Sequence, residues 1–98
     1  MNIRPTRAEI DVGALVRNHA TLRAAAPEVD VLAVVKADAY GHGAVLVSRA
    51  LEAAGVRFLG VALVEEGRVL RDAGVRSDIL VLGGAYDGGW EEMVAQRM

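Results

Sequence analysis

The chain has 98 residues, of which 53% are apolar, with 11 basic and 13 acidic residues giving a formal charge of −2. That length allows one small domain and is short for a closed barrel, and so apolar a chain is built to pack. The mixed charges form no basic stripe for a nucleic acid or an anionic membrane, and the absence of cysteine excludes a disulfide scaffold and thiolate metal ligands.

The opening, Met1 to Ile10, reads as irregular with a short extended piece, and it lacks the apolar core of a secretory leader. No apolar run reaches membrane-spanning length, so the expectation is a soluble cytoplasmic protein. Asp11 is a helix N-cap by type. Behind it, Val12, Leu15, Val16, His19, Leu22 and Ala26 recur near the helical period, and Pro27 ends the helix. His19 falls in this stripe and reads as structural.

Val31 to Lys36 is a short run rich in β-branched residues, apolar on both faces until its last residue. This is the pattern of a strand in a parallel sheet covered on both sides. Ala37 to Gly43 reads as a loop, and a helix follows from about Ala44 to Ala54, with Ser48, Arg49 and Glu52 outward and Gly55 as its C-terminal cap. A second strand is expected around Phe58 to Ala62, a helix from Glu65 to Ala73, and a third strand over Ile79 to Leu82. Gly83, Gly84, Gly88 and Gly89 mark a long turn before a last helix near Trp90, where Trp90, Met93 and Val94 share a face. Ala54-Gly55-Val56-Arg57 recurs as Ala73-Gly74-Val75-Arg76, both copies at a helix end that feeds a strand. That is the repeating unit of an α/β barrel or an open parallel sheet. Three such strands leave outer edges unpaired, so the expectation is the N-terminal portion of a TIM-type (β/α)8 barrel. A small self-contained three-stranded layer is the alternative.

Lys36 is the one lysine among the basic residues; the other ten are arginine. It ends the most apolar strand and shares the parity of Leu32 and Val34, and barrel active sites lie at the C-terminal ends of strands. A desolvated lysine loses its proton and attacks a carbonyl, which an arginine does not do. The competing reading is a lysine whose stem lies on apolar surface while its charge reaches water. Tyr40, four residues on, offers a hydroxyl, and Gly41 and Gly43 allow close backbone approach before a helix whose free amides suit an anion. Asp38 reads as a turn cap, and His42 as a histidine bonded to backbone. Glu65 and Glu66 read as favourable charges at a helix start. Two histidines so far apart make no metal site.

Ala33 to Gly43, Ala-Val-Val-Lys-Ala-Asp-Ala-Tyr-Gly-His-Gly, resembles the signature of bacterial alanine racemases. The likeness extends to Arg4-Pro5-Thr6, Ala8-Glu9-Ile10-Asp11, Asn18, Val61-Ala62-Leu63, Glu65-Glu66, Leu70-Arg71, Ala73-Gly74 and Ile79 to Gly83. Arg7 departs from it, standing where many members carry an aromatic residue. The resemblance implies a pyridoxal 5'-phosphate enzyme that interconverts L- and D-alanine. It implies a barrel followed by a mostly β domain, working as a homodimer. It places the cofactor lysine on Lys36 and the phosphate-contacting tyrosine on Tyr40, with a second acid–base tyrosine coming from the other subunit. Residues 1–98 are then an N-terminal piece of that barrel, inactive alone. The alternatives are another pyridoxal-phosphate barrel protein, of the homeostasis or decarboxylase-like kind, and a non-enzymatic truncated product.

Overall fold

The computed structural model describes residues 3–98; the first two residues of the irregular opening lie outside the described residues. The element order is α1 (Val12–Ala25), β1 (Leu32–Val34), α2 (Lys36–Tyr40), α3 (Ala44–Ala53), β2 (Phe58–Val61), α4 (Val64–Asp72), β3 (Asp78–Val81) and α5 (Gly89–Ala95). The strands form one parallel sheet in the order β1-β2-β3, with Val34 opposite Gly60 and Gly60 opposite Leu80.

Sequential strand order separates two architectures that the sequence leaves open. Ala33, Val35, Leu59, Val61, Ile79 and Val81 form one face of the sheet, packed with Val47 and Leu51 of α3, Val64 and Leu70 of α4, and Leu15 of α1. The alternate residues Leu32, Val34, Leu80 and Leu82 lie on the other face and are all exposed. Helices on one face and strands in chain order are the winding of a barrel, because an open doubly wound sheet puts helices on both faces. The chain is thus three consecutive β/α units of an α/β barrel, in an unclosed sheet. The expectation that β1 is covered on both faces is corrected: one face only is covered. The overall extents, 43 × 43 × 21 Å, are those of a slab.

The helix ends follow from the repeat. Gly55 and Gly74 adopt φ of 100° and 86°, which a side chain resists. In both copies the valine amide returns to the carbonyl five residues back, Val56 to Leu51 at 2.9 Å and Val75 to Leu70 at 3.0 Å. Each valine is then buried as the apolar stop of the helix. Asp11 caps α1 as its type predicts, accepting from Ala14 N–H at 2.9 Å. Ala26 is the C-cap of that helix, just ahead of Pro27. His19 is its buried residue, while Leu22 is exposed, so the predicted stripe is covered in part. Arg7, the departing residue, is exposed and paired with Glu9.

Two other expectations are corrected. Ser48 is expected to face outward, yet it is 0% exposed: it falls one residue from Val47 and three from Leu51 on the same inner face. Small size lets a serine occupy a core position that its polarity disfavours. On α5, Met93 packs on the core but Trp90 and Val94 are exposed, so their shared face has no cover among the described residues.

The lower end of the sheet is stapled by a carboxylate. Glu52 Oε2 accepts from Arg76 N–H at 2.7 Å, Ser77 N–H at 2.6 Å and Ser77 Oγ–H at 2.8 Å. Burial by itself raises its pKa, but the Ser77 and Arg76 hydrogen bonds, with the charge of Arg71, outweigh that and hold it below the ordinary 4.5. A carboxylate depressed in the folded state stabilises the fold above its unfolded pKa and loses that contribution as pH falls through the folded value. Stability is therefore expected to drop on acidification below about pH 4.5. The Glu52→Gln chain should lose much of that drop, read as a flatter pH dependence of the urea midpoint.

Candidate active site

Directly after β1 the backbone reverses its hand. Ala37, Asp38, Ala39 and Tyr40 have φ of 52°, 56°, 54° and 56°, and Gly41 has 87°. The segment predicted as a loop is instead a turn of left-handed helix, closed by Ala39 N–H on Val35 O at 2.9 Å and Gly41 N–H on Ala37 O at 3.1 Å. L-residues in this region cost about 1–2 kcal/mol each, so four in succession persist only where the surroundings over-determine them. It also ends β1 at Val34, short of the predicted Lys36.

The surroundings are specific. Asp38 Oδ1 accepts from Ala44 N–H at 2.7 Å, and thereby caps α3. The anion expected at the start of α3 is thus met, at its first amide, by the chain's own carboxylate. His42 bonds the backbone as expected, with Nδ1 2.9 Å from Ala39 O. Ala39 is buried in the core and anchors the turn from below. Glu66 Oε2 accepts from Ala37 N–H at 2.6 Å. Its Oε1 accepts from Ala62 N–H at 2.8 Å and Leu63 N–H at 2.9 Å. By local pattern Glu66 is only a charge at a helix start; its reach across to the residue after Lys36 is not visible there. A glutamate three residues into a helix, bonding the cap amide, is the one signal available for it.

Because Ala37 is exposed and its φ is left-handed, glycine fits the position better than alanine does. Ala37→Gly is expected to raise stability by up to about 1 kcal/mol, the strain relieved less the added chain entropy. A lower urea midpoint for this variant would show that the turn is not held in this hand.

The turn delivers its side chains to the C-terminal end of the sheet. Lys36 is half-buried at its first position, one residue beyond the buried Val35. Tyr40 closes it, 61% exposed. Next to β1, Gly60 carries no side chain on the open face; a Cβ there would stand 3.5 Å from both Val34 Cγ2 and Leu82 Cδ1. Gly60 is itself buried, with Val34, Leu82 and Leu32 closing over it to form an apolar shelf on that face. An amine at a strand end, an apolar shelf that accepts a flat ring, and an exposed phenol suit an aromatic aldehyde bearing an anionic arm. The residues present therefore fit pyridoxal phosphate. A groove of about 550 Å³ lies between α1 and the outer strand β1; Val34 and Tyr40 are among the residues that line it, whereas Lys36 is not. It follows an unpaired strand edge, and the amine chemistry places the candidate site at the shelf. Among the described residues no cluster of metal-ligating side chains occurs and no helix is long and apolar enough to cross a membrane.

This geometry has close counterparts. An alanine racemase of Sorangium cellulosum is 48% identical over 102 aligned positions, covering 98% of this chain and 27% of that protein. One of Geobacter sulfurreducens is 47% identical, covering 90% of this chain and 23% of that protein. Among solved structures, the alanine racemase of Clostridium difficile 630 superposes with a TM-score of 0.92 at 37% identity, covering all of this chain and 26% of that one. That of a D-cycloserine-producing Streptomyces lavendulae gives 0.87 at 44% identity, with 95% and 25% covered. The chain spans about a quarter of the length of the curated relatives it matches. The family described as alanine racemase, N-terminal domain, matches residues 10–98, nearly the whole chain, and this protein belongs to it.

Proposed function

We propose that these 98 residues are the N-terminal part of a pyridoxal-phosphate-dependent enzyme that interconverts L- and D-alanine. The remainder of the barrel and a β domain complete the site in a homodimer. One observation carries the reading: the chain's single lysine stands two residues past the end of β1, half-buried, at the head of a strained left-handed turn. Family membership supports the same reading, and favours racemisation over the other chemistries that a strand-end lysine serves.

In this reading Lys36 Nζ would hold the cofactor and would take or return the proton at alanine Cα from one face. Tyr40 Oη–H would donate to the phosphate. Val34 and Leu82 would offer the ring an apolar surface. The bound cofactor supplies an electron sink that makes the Cα proton removable. Inversion needs a second acid–base group on the opposite face, which this reading assigns to the partner subunit. The 98 residues alone are then inactive.

Borohydride reduction of the complete encoded protein, loaded with pyridoxal phosphate, followed by peptide mass mapping tests the assignment. The expected adduct lies on the peptide containing Lys36. An adduct on another lysine, with Lys36 unmodified, sinks it. Alanine racemisation by the isolated 98-residue chain would overturn the assignment of half the chemistry to the partner.

A further inference from the structure

Glu66 stands where the β1–β2 ladder stops. Val35 N–H donates to Gly60 O at 2.8 Å, and a parallel ladder carried one step further would next have Ala62 N–H donating to Val35 O. Val35 O accepts from Ala39 N–H within the left-handed turn instead, and the Ala62 amide goes to Glu66 Oε1 at 2.8 Å. The other oxygen of the same carboxylate takes the Ala37 amide at 2.6 Å. One side chain of α4 thus replaces a sheet rung with a bridge between the end of β2 and the peptide that joins Lys36 to Ala37. The Ala37 amide is also one of the first N–H groups of its turn, which has no partner inside the turn. Hydrogen bonds from amides to a carboxylate are short and strong, and three of them on one half-buried group leave it little freedom.

We propose that Glu66 is a positioning residue for Lys36. By holding the Lys36–Ala37 peptide against β2 it stabilises the left-handed turn and fixes the direction in which the lysine amine leaves the strand. This rests on the reading of Lys36 as the cofactor lysine. Glu66 acts through the backbone and touches neither substrate nor cofactor in this role. An orientation error at the backbone is magnified along a four-carbon side chain, so a loosened turn lowers the fraction of amine aimed at an aldehyde on the shelf. Glu52 provides the internal comparison, since it clamps two amides and a hydroxyl in the same manner at the opposite end of the sheet, remote from Lys36.

The test uses the complete encoded protein with pyridoxal phosphate as the probe. Borohydride-trapped adduct on Lys36 is measured against cofactor concentration for the unaltered protein, Glu66→Gln, Glu66→Asp and Glu52→Gln. Amide hydrogen exchange at Ala37 and the thermal midpoint are read on the same samples. Glu66→Gln keeps the size but places an NH2 group against amides that need an acceptor. The half-saturating cofactor concentration should rise about tenfold or more, with Ala37 exchange faster by a similar factor. Glu52→Gln should lower the thermal midpoint by a comparable amount, yet leave half-saturation within about twofold. Glu66→Asp retains the charge on a shorter arm and should fall between; it serves if the glutamine variant does not fold. Trapping unchanged in both Glu66 variants overturns the proposal. So does an equal loss of trapping in Glu52→Gln, which would mark the effect as general destabilisation. An unaltered protein that traps no adduct at Lys36 overturns the underlying reading of the lysine, an outcome distinct from either of these.

Discussion

Lys36→Ala, in the complete encoded protein, is expected to abolish covalent attachment of pyridoxal phosphate and to lower alanine racemisation by at least 10²–10⁴-fold, roughly the contribution of a placed acid–base group. The loss should be in turnover more than in folding, because Lys36 is half-buried and lies outside the core cluster. Lys36→Arg should fare no better. It restores the positive charge and most of the stem, but a guanidinium keeps its proton and cannot act as nucleophile or base. The pair of variants separates the two readings of this lysine. A residue that only carries charge to solvent over an apolar stem would be replaced by arginine with little loss. Racemisation rates by polarimetry, with mass mapping of borohydride-treated samples, decide between them. Near-normal turnover in Lys36→Arg would refute the assignment.

Leu59→Ala is expected to produce the largest loss of stability, about 2–5 kcal/mol. Leu59 is the centre of the middle strand, 0% exposed, with strands on either side and the helical layer above it. The surrounding core is built largely of valines on short strands, which have little freedom to close over the gap. Small domains hold only about 5–15 kcal/mol in total, so this one substitution approaches the lower bound. Val34→Ala removes apolar volume from the same sheet but from its open face, where the side chain is 37% exposed. In the 98-residue chain it should cost less than about 1 kcal/mol, since much of that surface is already in water. In the complete protein the cost should be larger, because a closed barrel buries that face. Urea midpoints for both substitutions in both lengths of protein give the comparison. Equal costs for Val34→Ala in the two lengths would mean that the face stays open.

Local chemistry was legible from the residues in order. The Asp11 cap, the two glycine-terminated helices and the three strands follow from short-range rules, although β1 stops at Val34, two residues before Lys36. Helix caps, valine-rich runs and turn glycines act within a few residues of one another, so a linear reading finds them. The likeness around Lys36 to alanine racemases was equally a property of consecutive residues, and the family assignment agrees with it. What failed were predictions that depend on residues brought together from a distance. Ser48 reads as a surface residue by type and is buried because α3 presents that side to the sheet.

The amino-acid order by itself determined the succession of elements, the single amine and where along the chain it falls. Tertiary structure alone decided that all the helices cover one face, leaving Val34 and Leu82 exposed on the other. It alone decided that Ala37 to Tyr40 wind left-handed, against the preference of every one of those residues. The reason is energetic: a conformation that each residue disfavours is held only by partners outside it. Here those partners are the buried seat of Ala39, the Asp38 bond to Ala44, and the carboxylate of Glu66, 29 residues away in sequence. No local propensity encodes a bond of that span.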